Sequence, residues 1–162
     1  MTSAPPFEEV MAHAGMIRRI AAAHEANASA REDLVQDILL ALWRALPGFR
    51  GEGSLRSFVA RVAANRAVTH VQRAVGRPAA ADLPCDLASP DASPESAAIA
   101  LDETARLAAA VRALPLGLRE PALLALEGLS PAEIAGVLGL TPNAVAIRMT
   151  RARSALRNLL GA

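Results

Sequence analysis

One stretch near the C-terminal end, residues 129–153, contains two helix starts separated by a glycine. The first is a capping box with proline in the first turn, within Ser130–Glu133. At the second, Thr141 can cap the helix, and a proline again follows at Pro142. Gly139 lies just before it, where the end of a helix needs a left-handed residue. This arrangement is typical of a helix-turn-helix or of a helical hairpin in a bundle.

Apolar spacing and charge distinguish these two interpretations. The expected inner positions are Ile134, Val137 and Leu138 on the first helix and Val145, Met149 and Ala152 on the second, with small Ala135 at the crossing. The second helix also carries basic residues and no acid: Arg148, Arg151, Arg153 and Arg157. A merely solvated face would more often mix charges of both signs. We therefore predict a DNA-binding helix-turn-helix, with the structural hairpin as the alternative.

The composition favours an all-α fold. Hydrophobic residues make up 52% of the chain, many of them alanine, and aromatic residues only 2%. Small side chains and few aromatics suit closely packed helices better than a β-rich core. The one cysteine, Cys85, excludes an internal disulfide framework and a cysteine-based zinc site.

No motif for chemistry is visible in the sequence. There is no glycine-rich phosphate loop, nucleophile elbow or cluster with metal-ligand spacing. We expect no enzyme activity, no cofactor and no metal. The sequence also lacks a long apolar run and the hydrophobic region of a signal peptide, so we expect a cytoplasmic protein without membrane insertion.

The net charge of +1 conceals strong segregation of charge. Residues 44–77 carry seven arginines and one acid, and the acids that follow up to residue 105 have no base among them. The C-terminal helices are basic again. Two basic modules joined by an acidic segment indicate two separate contacts with a polyanion.

Helix signals divide the N-terminal half into three helices. The first is expected over about 7–26, with Val10, Ile17 and Ile20 among its inner positions. A capping box at Ser29–Glu32 predicts a second helix that runs to Leu46 and has a broad apolar stripe that includes Trp43. The opposite face of that helix is acidic. These acids either interact favourably with the helix dipole near the N-terminus or form a surface that binds a partner.

The third helix is expected to follow a glycine-containing loop, start after a capping Ser54 and reach about Ala74. Its outer strip combines arginines with Asn65, Thr69 and Gln72, residue types that grip phosphates and hydrogen-bond to base edges. A solvated amphipathic helix is the alternative. Two further helices are predicted over about 93–115 and 118–126, and Pro121 is tolerable only in a first turn.

These segments resemble extracytoplasmic function (ECF) sigma factors of the sigma-70 superfamily. The similarity to their second conserved region lies in Asp33–Trp43, Phe49–Gly51 and Arg61–Ala67. The similarity to their fourth region lies in Leu114–Pro115, Arg119–Glu120, Leu126–Ser130, the helix-turn-helix and the closing Arg151–Arg153. The resemblance covers nearly the whole chain, in the right order.

The resemblance implies an all-α fold of two small helical domains joined by a linker. Residues 1–76 would form a region 2-like domain, 77–94 an acidic linker directed toward the polymerase active-site channel, and 95–162 a region 4-like helix-turn-helix domain. The implied partners are core RNA polymerase, promoter DNA and an anti-sigma factor. The implied function is promoter-specific transcription initiation.

The resemblance also assigns residues. Those implied to bind polymerase are Asp33, Gln36 and Asp37. Those implied to contact the minus-ten element, including a base flipped from the non-template strand, are Arg50, Arg56, Arg61, Asn65, Arg66 and Thr69. Those implied to contact the minus-thirty-five element are Asn143, Ile147, Arg148, Thr150 and Arg151.

The sequence departs from the family pattern at several of these sites. Leu55 and Phe58 stand where family members often have an aromatic residue and a tryptophan, and Ala146 and Ile147 where a basic and a small polar residue are usual. The sequence is also compatible with two other functions. One is a sigma mimic that binds an anti-sigma factor, and the other is a stand-alone helix-turn-helix regulator, which would leave the N-terminal half unexplained.

Overall fold

The computed structural model describes residues 5–75 and 95–161, and in this part of the chain every regular element is helical. The N-terminal half contains α1 (Phe7–Met11), α2 (Ala14–Ala22), α3 (Ala28–Ala45), a 3-10 turn (Leu46–Gly48) and α4 (Leu55–Val75). The C-terminal half contains α5 (Glu95–Ala113), α6 (Leu116–Leu126), α7 (Pro131–Leu138) and α8 (Pro142–Leu160). The predicted all-α class is confirmed. The predicted linker, residues 77–94, and Cys85 lie outside the described residues.

The single helix predicted over 7–26 is wrong, because two helices occupy this segment. His13 has φ −98° and ψ 13°, outside the helical region, and this residue separates α1 from α2. The predicted inner positions are nevertheless correct, since Val10, Ile17 and Ile20 are fully buried.

The start of α3 also differs from its prediction. The capping residue is Asn27, whose side-chain oxygen accepts a hydrogen bond from the Ala30 N–H at 2.9 Å. Ser29 therefore lies inside the first turn. Asparagine caps at least as well as serine, and the Glu25 carboxylate fixes Asn27 by accepting its backbone N–H at 2.8 Å.

The core of the N-terminal half lies between α2, α3 and α4. From α3 the buried residues are Leu34, Val35, Ile38 and Leu42. Trp43, which the sequence places in the apolar stripe, is 62% exposed and lies outside this core. The start of α4 agrees with its prediction, because the Ser54 hydroxyl accepts the Ser57 N–H at 3.1 Å.

The predicted helix-turn-helix forms as its capping signals indicate. Ser130 and Glu133 make both hydrogen bonds of the capping box, and the Thr141 hydroxyl accepts the Ala144 N–H. The Ser130 hydrogen bonds hold the pKa of the Glu133 carboxyl below its usual value. Gly139 ends α7 with φ 64°, a left-handed conformation that favours glycine. The two helices pack through Ile134 and Val145, which are 1% and 0% exposed.

The helix α6 begins earlier than the sequence indicates. It starts at Leu116 rather than Leu118, so Pro121 lies inside the helix, beyond the first turn. A proline there has no N–H to give to the carbonyl four residues earlier, which is that of Gly117. Gly117 is exposed, so a side chain or water can donate to this carbonyl instead.

The two halves share one hydrophobic core. A single cluster of buried residues runs from Ile20 and Ile38 in the N-terminal half to Leu124 and Ile134 in the C-terminal half. The helices α4 and α7 contact each other across the junction, as do α4 and α6. None of the helices in the described part of the chain combines the length and apolar character needed to cross a membrane.

Candidate nucleic-acid interface

The helix α8 presents one exposed face beside the turn of the helix-turn-helix. Asn143, Ile147, Thr150 and Arg151 are exposed and spaced by three, four or one residues, so they lie on one side of the helix. Ile147 is 47% exposed although it is apolar. The Thr150 hydroxyl donates to the Ala146 carbonyl at 3.1 Å. This face carries an amide, a hydroxyl, a guanidinium and an apolar group, which are the kinds of group that contact base edges in a major groove.

Arg148 lies apart from this face. Its Nη1 donates to the Gly117 carbonyl of α6 at 3.3 Å. This is the carbonyl that Pro121 leaves without its helical donor. Arg148 therefore gives the Gly117 carbonyl a hydrogen bond in place of the one that α6 lacks at Pro121. The same contact links α8 to α6.

This contact predicts an effect on stability. We expect Arg148→Ala to lower the free energy of unfolding by about 1 kcal/mol, because a carbonyl loses its donor. In a Pro121→Ala background the backbone N–H of residue 121 can bond to Gly117, so there Arg148→Ala should cost less. Urea unfolding of the four variants measures this coupling. Equal costs of Arg148→Ala in both backgrounds would contradict the assignment.

The predicted strip on α4 divides into two parts. Asn65 is exposed and Arg66 and Thr69 are half-buried on the outer side of the helix, and Arg50 is exposed in the preceding loop. Arg56 and Arg61 instead reach the other half. Arg56 donates to the Glu127 carbonyl, and Arg61 Nη2 donates to the Gly136 carbonyl at 3.0 Å.

The loop before α4 is fixed by an aromatic pair. The rings of Phe49 and Phe58 have centroids 5.0 Å apart at an angle of 54°. Both side chains are partly buried against the shared core. The pair anchors the two ends of the loop that carries Arg50.

The predicted acidic face of α3 forms an open groove. Asp33, Gln36 and Asp37 line it together with Leu40 and His70, around a volume of about 560 Å³. Asp33 and Gln36 are exposed and Asp37 is half-buried. The structure thus brings the three predicted partner-binding residues onto one surface.

Sequence reasoning missed two histidine contacts. His70 Nε2 lies 2.8 Å from Glu25 Oε2, and this contact joins α4 to the loop before α3. Burial opposes ionisation of Glu25, but His70 and the Asn27 N–H outweigh it and hold the pKa of this carboxyl below its usual value. His24 is buried against Glu120 of α6. No sequence pattern links these partners, which lie 45 and 96 residues apart.

No group of three or more His, Cys, Asp or Glu side chains within 5–75 and 95–161 is placed to hold a metal ion.

Family models match both halves of the chain. The model described as Sigma-70 region 2 matches residues 10–76, and the model described as Sigma-70, region 4 matches residues 104–156. The first covers α2 to α4, and the second covers most of α5 and all of α6 and α7, with most of α8.

Two curated relatives extend over most of the chain. The ECF RNA polymerase sigma factor SigG of Mycobacterium tuberculosis is 30% identical over 183 residues, covering 96% of this chain and 46% of SigG. The chain thus spans about half the length of SigG. The RNA polymerase sigma factor CnrH of Cupriavidus metallidurans is 34% identical over 140 residues, covering 81% of this chain and 73% of CnrH.

Solved structures show the same fold. CnrH in complex with the cytosolic domain of CnrY matches with a TM-score of 0.68 and 27% identity, over 96% of this chain and 87% of that chain. The sigma factor RpoE in complex with the anti-sigma factor NepR, from Bartonella quintana, matches with a TM-score of 0.68 and 22% identity, over 96% of both chains. The likeness to RpoE concerns the fold alone. With two family models matched in order and a relative covered over most of its length, the chain belongs to the ECF group of the sigma-70 family of RNA polymerase sigma factors.

Proposed function

We propose that this chain is an ECF-type sigma factor that binds core RNA polymerase and directs promoter-specific transcription initiation. The observation that carries this proposal is the pairing of two surfaces in one chain. The exposed face of α8 suits DNA, and the acidic groove on α3 suits a protein partner. A regulator that only binds DNA would have no use for the groove.

In this proposal, α8 enters the major groove of the minus-thirty-five element. Asn143, Thr150 and Arg151 can hydrogen-bond to base edges or phosphates, and Ile147 can contact a thymine methyl. Arg148 remains a proposed contact with this element, but it reaches DNA only by leaving the Gly117 carbonyl.

The minus-ten element is assigned to the loop before α4 and the outer strip of that helix. Asn65, Arg66 and Thr69 lie along the strip, and Arg50 extends from the loop. Extruding a base from a duplex costs a few kcal/mol, least where pairing is weak. Arginines that hold the displaced strand can offset this cost.

The acidic groove is assigned to core polymerase, which carries out the catalytic step. The sigma factor itself then needs no enzyme activity, and it acts where the polymerase does, in the cytoplasm. An anti-sigma factor is a proposed partner, because the solved structures of CnrH and RpoE are complexes with CnrY and with NepR.

Removal of the charge of Asp37, which lines the groove, tests this assignment. We expect Asp37→Ala to weaken the affinity for core polymerase about tenfold, because a contact of a charged group is lost. Asp102→Ala, the same change at an exposed position on α5, should leave the affinity unchanged. Fluorescence anisotropy of labelled protein titrated with core polymerase measures both. Equal affinities of Asp37→Ala and the parent would refute the polymerase assignment.

Transcription from a genomic fragment library tests the function as a whole. Core polymerase with this chain should produce transcripts whose 5′ ends map to a small set of shared sites, absent with core polymerase alone. A sigma mimic would bind an anti-sigma factor but yield no such transcripts. A stand-alone regulator would bind DNA fragments without assembling with polymerase.

A further inference from the structure

Ile147 is an apolar residue on the exposed face of α8. Its side chain is 47% exposed, so most of what an isoleucine contributes to a core is absent in the free chain. A β-branched residue is also a weaker helix former than alanine, leucine or arginine. Single exposed apolar side chains are common on proteins, so the neighbours of Ile147 decide what it can contact.

Polar side chains of this face lie about one helical turn to either side of Ile147. Asn143 is four residues before it and Arg151 four residues after it, and both are exposed. At a rise of about 1.5 Å per residue, Asn143 and Arg151 are about 12 Å apart along the helix axis. This distance corresponds to about three to four base pairs of a duplex. Ile147 therefore faces the middle of a site whose two ends are met by polar groups.

The side chains around Ile147 leave the contact at this position apolar. Ala146 is exposed and carries only a methyl group. The Thr150 hydroxyl donates its hydrogen to the Ala146 carbonyl at 3.1 Å, so the hydroxyl keeps only its capacity to accept. Arg148 Nη1 donates to the Gly117 carbonyl at 3.3 Å, on the side of α6.

We propose that Ile147 recognises the C5 methyl group of a pyrimidine in the middle of the minus-thirty-five element, and that promoter binding depends on this methyl group. Thymine presents its C5 methyl in the major groove, and cytosine presents one there only when it is methylated at C5. The inference rests on the proposed function, which places α8 in that groove. It makes Ile147 a specificity-determining residue whose ligand is a 5-methylpyrimidine.

Replacing thymine by uracil removes this methyl group and leaves base pairing unchanged. The probe is a promoter duplex mapped by the transcription experiment, with the thymines of its minus-thirty-five element replaced by deoxyuridine one at a time. With holoenzyme that contains the parent chain, one replacement should weaken binding about fourfold, the effect of one methyl group left out of an apolar contact. With Ile147→Ala, the same replacement should have no effect. Competition binding at fixed salt measures both affinities.

Cytosine at the same position separates the methyl group from the identity of the base. A duplex with 5-methylcytosine there should bind the parent holoenzyme about fourfold more tightly than a duplex with cytosine. Ile147→Ala should abolish this difference. Leu159→Ala is the matched control, because it truncates another exposed apolar residue of α8, and it should preserve the difference. Circular dichroism verifies that both variants keep their helices.

Two results would overturn the inference. One is a minus-thirty-five element in which no thymine loses affinity when deoxyuridine replaces it. The other is an equal loss in the parent and in Ile147→Ala, which would assign the methyl group to another side chain such as Ala146. Both results are read on a holoenzyme that already starts transcription. Failure of the inference is therefore distinct from failure of the proposed function, which would yield no mapped promoter.

Discussion

Arg151→Ala is expected to weaken the binding of holoenzyme to minus-thirty-five DNA by about ten- to hundredfold. A guanidinium that contacts a base edge in the major groove contributes about 1–3 kcal/mol of discrimination, and Arg151 is exposed on the face of α8 that also carries Asn143 and Ile147. The loss should be greatest on the preferred sequence and smaller on unrelated DNA. Competition binding at fixed salt, with promoter and scrambled duplexes, measures both effects.

Arg106→Ala is the control for this substitution. Arg106 is exposed on α5 in the same half, so its replacement removes the same charge away from the proposed DNA-binding face. It should change affinity for both duplexes only slightly. If Arg106→Ala and Arg151→Ala weakened binding to the same extent, the assignment of the α8 face would fail.

Leu124→Ala is expected to lower the free energy of unfolding by about 2–5 kcal/mol. The side chain is fully buried, and truncating such a leucine removes apolar contacts and leaves a cavity. Leu124 belongs to the cluster that runs through both halves. The destabilisation should therefore also appear in the N-terminal half.

The one tryptophan of the chain reports on that half, because Trp43 lies on α3. Its fluorescence during urea unfolding should shift to a lower midpoint in Leu124→Ala, together with the helix signal from circular dichroism. Leu159→Ala, the same change at a position that is 51% exposed, should stay within about 0.5 kcal/mol of the parent. An unshifted Trp43 transition in Leu124→Ala would show that the halves unfold independently.

The helix-turn-helix is the part of the fold that the sequence predicts best. Its caps act over three residues, and its inner positions repeat with the helical period, so both signals are local. The same local reasoning fails where two signals compete. Asn27 caps α3 in place of Ser29, and α6 extends past Pro121, where Arg148 donates to the Gly117 carbonyl.

The contacts between the halves could not be predicted from local patterns. Arg19 and Glu127 are 108 residues apart, and no local sequence pattern links Arg19 in α2 to Glu127 just after α6. The sequence leaves open whether the two halves pack together, and the structure shows that they share a core. His24 illustrates the difficulty, because a histidine near a helix end is usually exposed and here it is buried by α6.

Some residues of the candidate sites are likewise predictable from local spacing, and others are not. The acidic groove follows from helical spacing, since Asp33, Gln36 and Asp37 lie on one face of α3. The α8 face also follows from spacing. What spacing does not reveal is that Arg56 and Arg61 point toward the C-terminal half, because that direction depends on where a distant helix packs.

The proposed sigma factor contacts a promoter with two separate surfaces, and a footprint of the holoenzyme tests this most directly. On a promoter mapped by the transcription experiment, hydroxyl-radical cleavage should show two protected patches, near minus thirty-five and near minus ten. Arg151→Ala should remove the upstream protection, whereas Asn65→Ala should reduce only the downstream one. A single patch, or upstream protection that survives Arg151→Ala, would contradict the account.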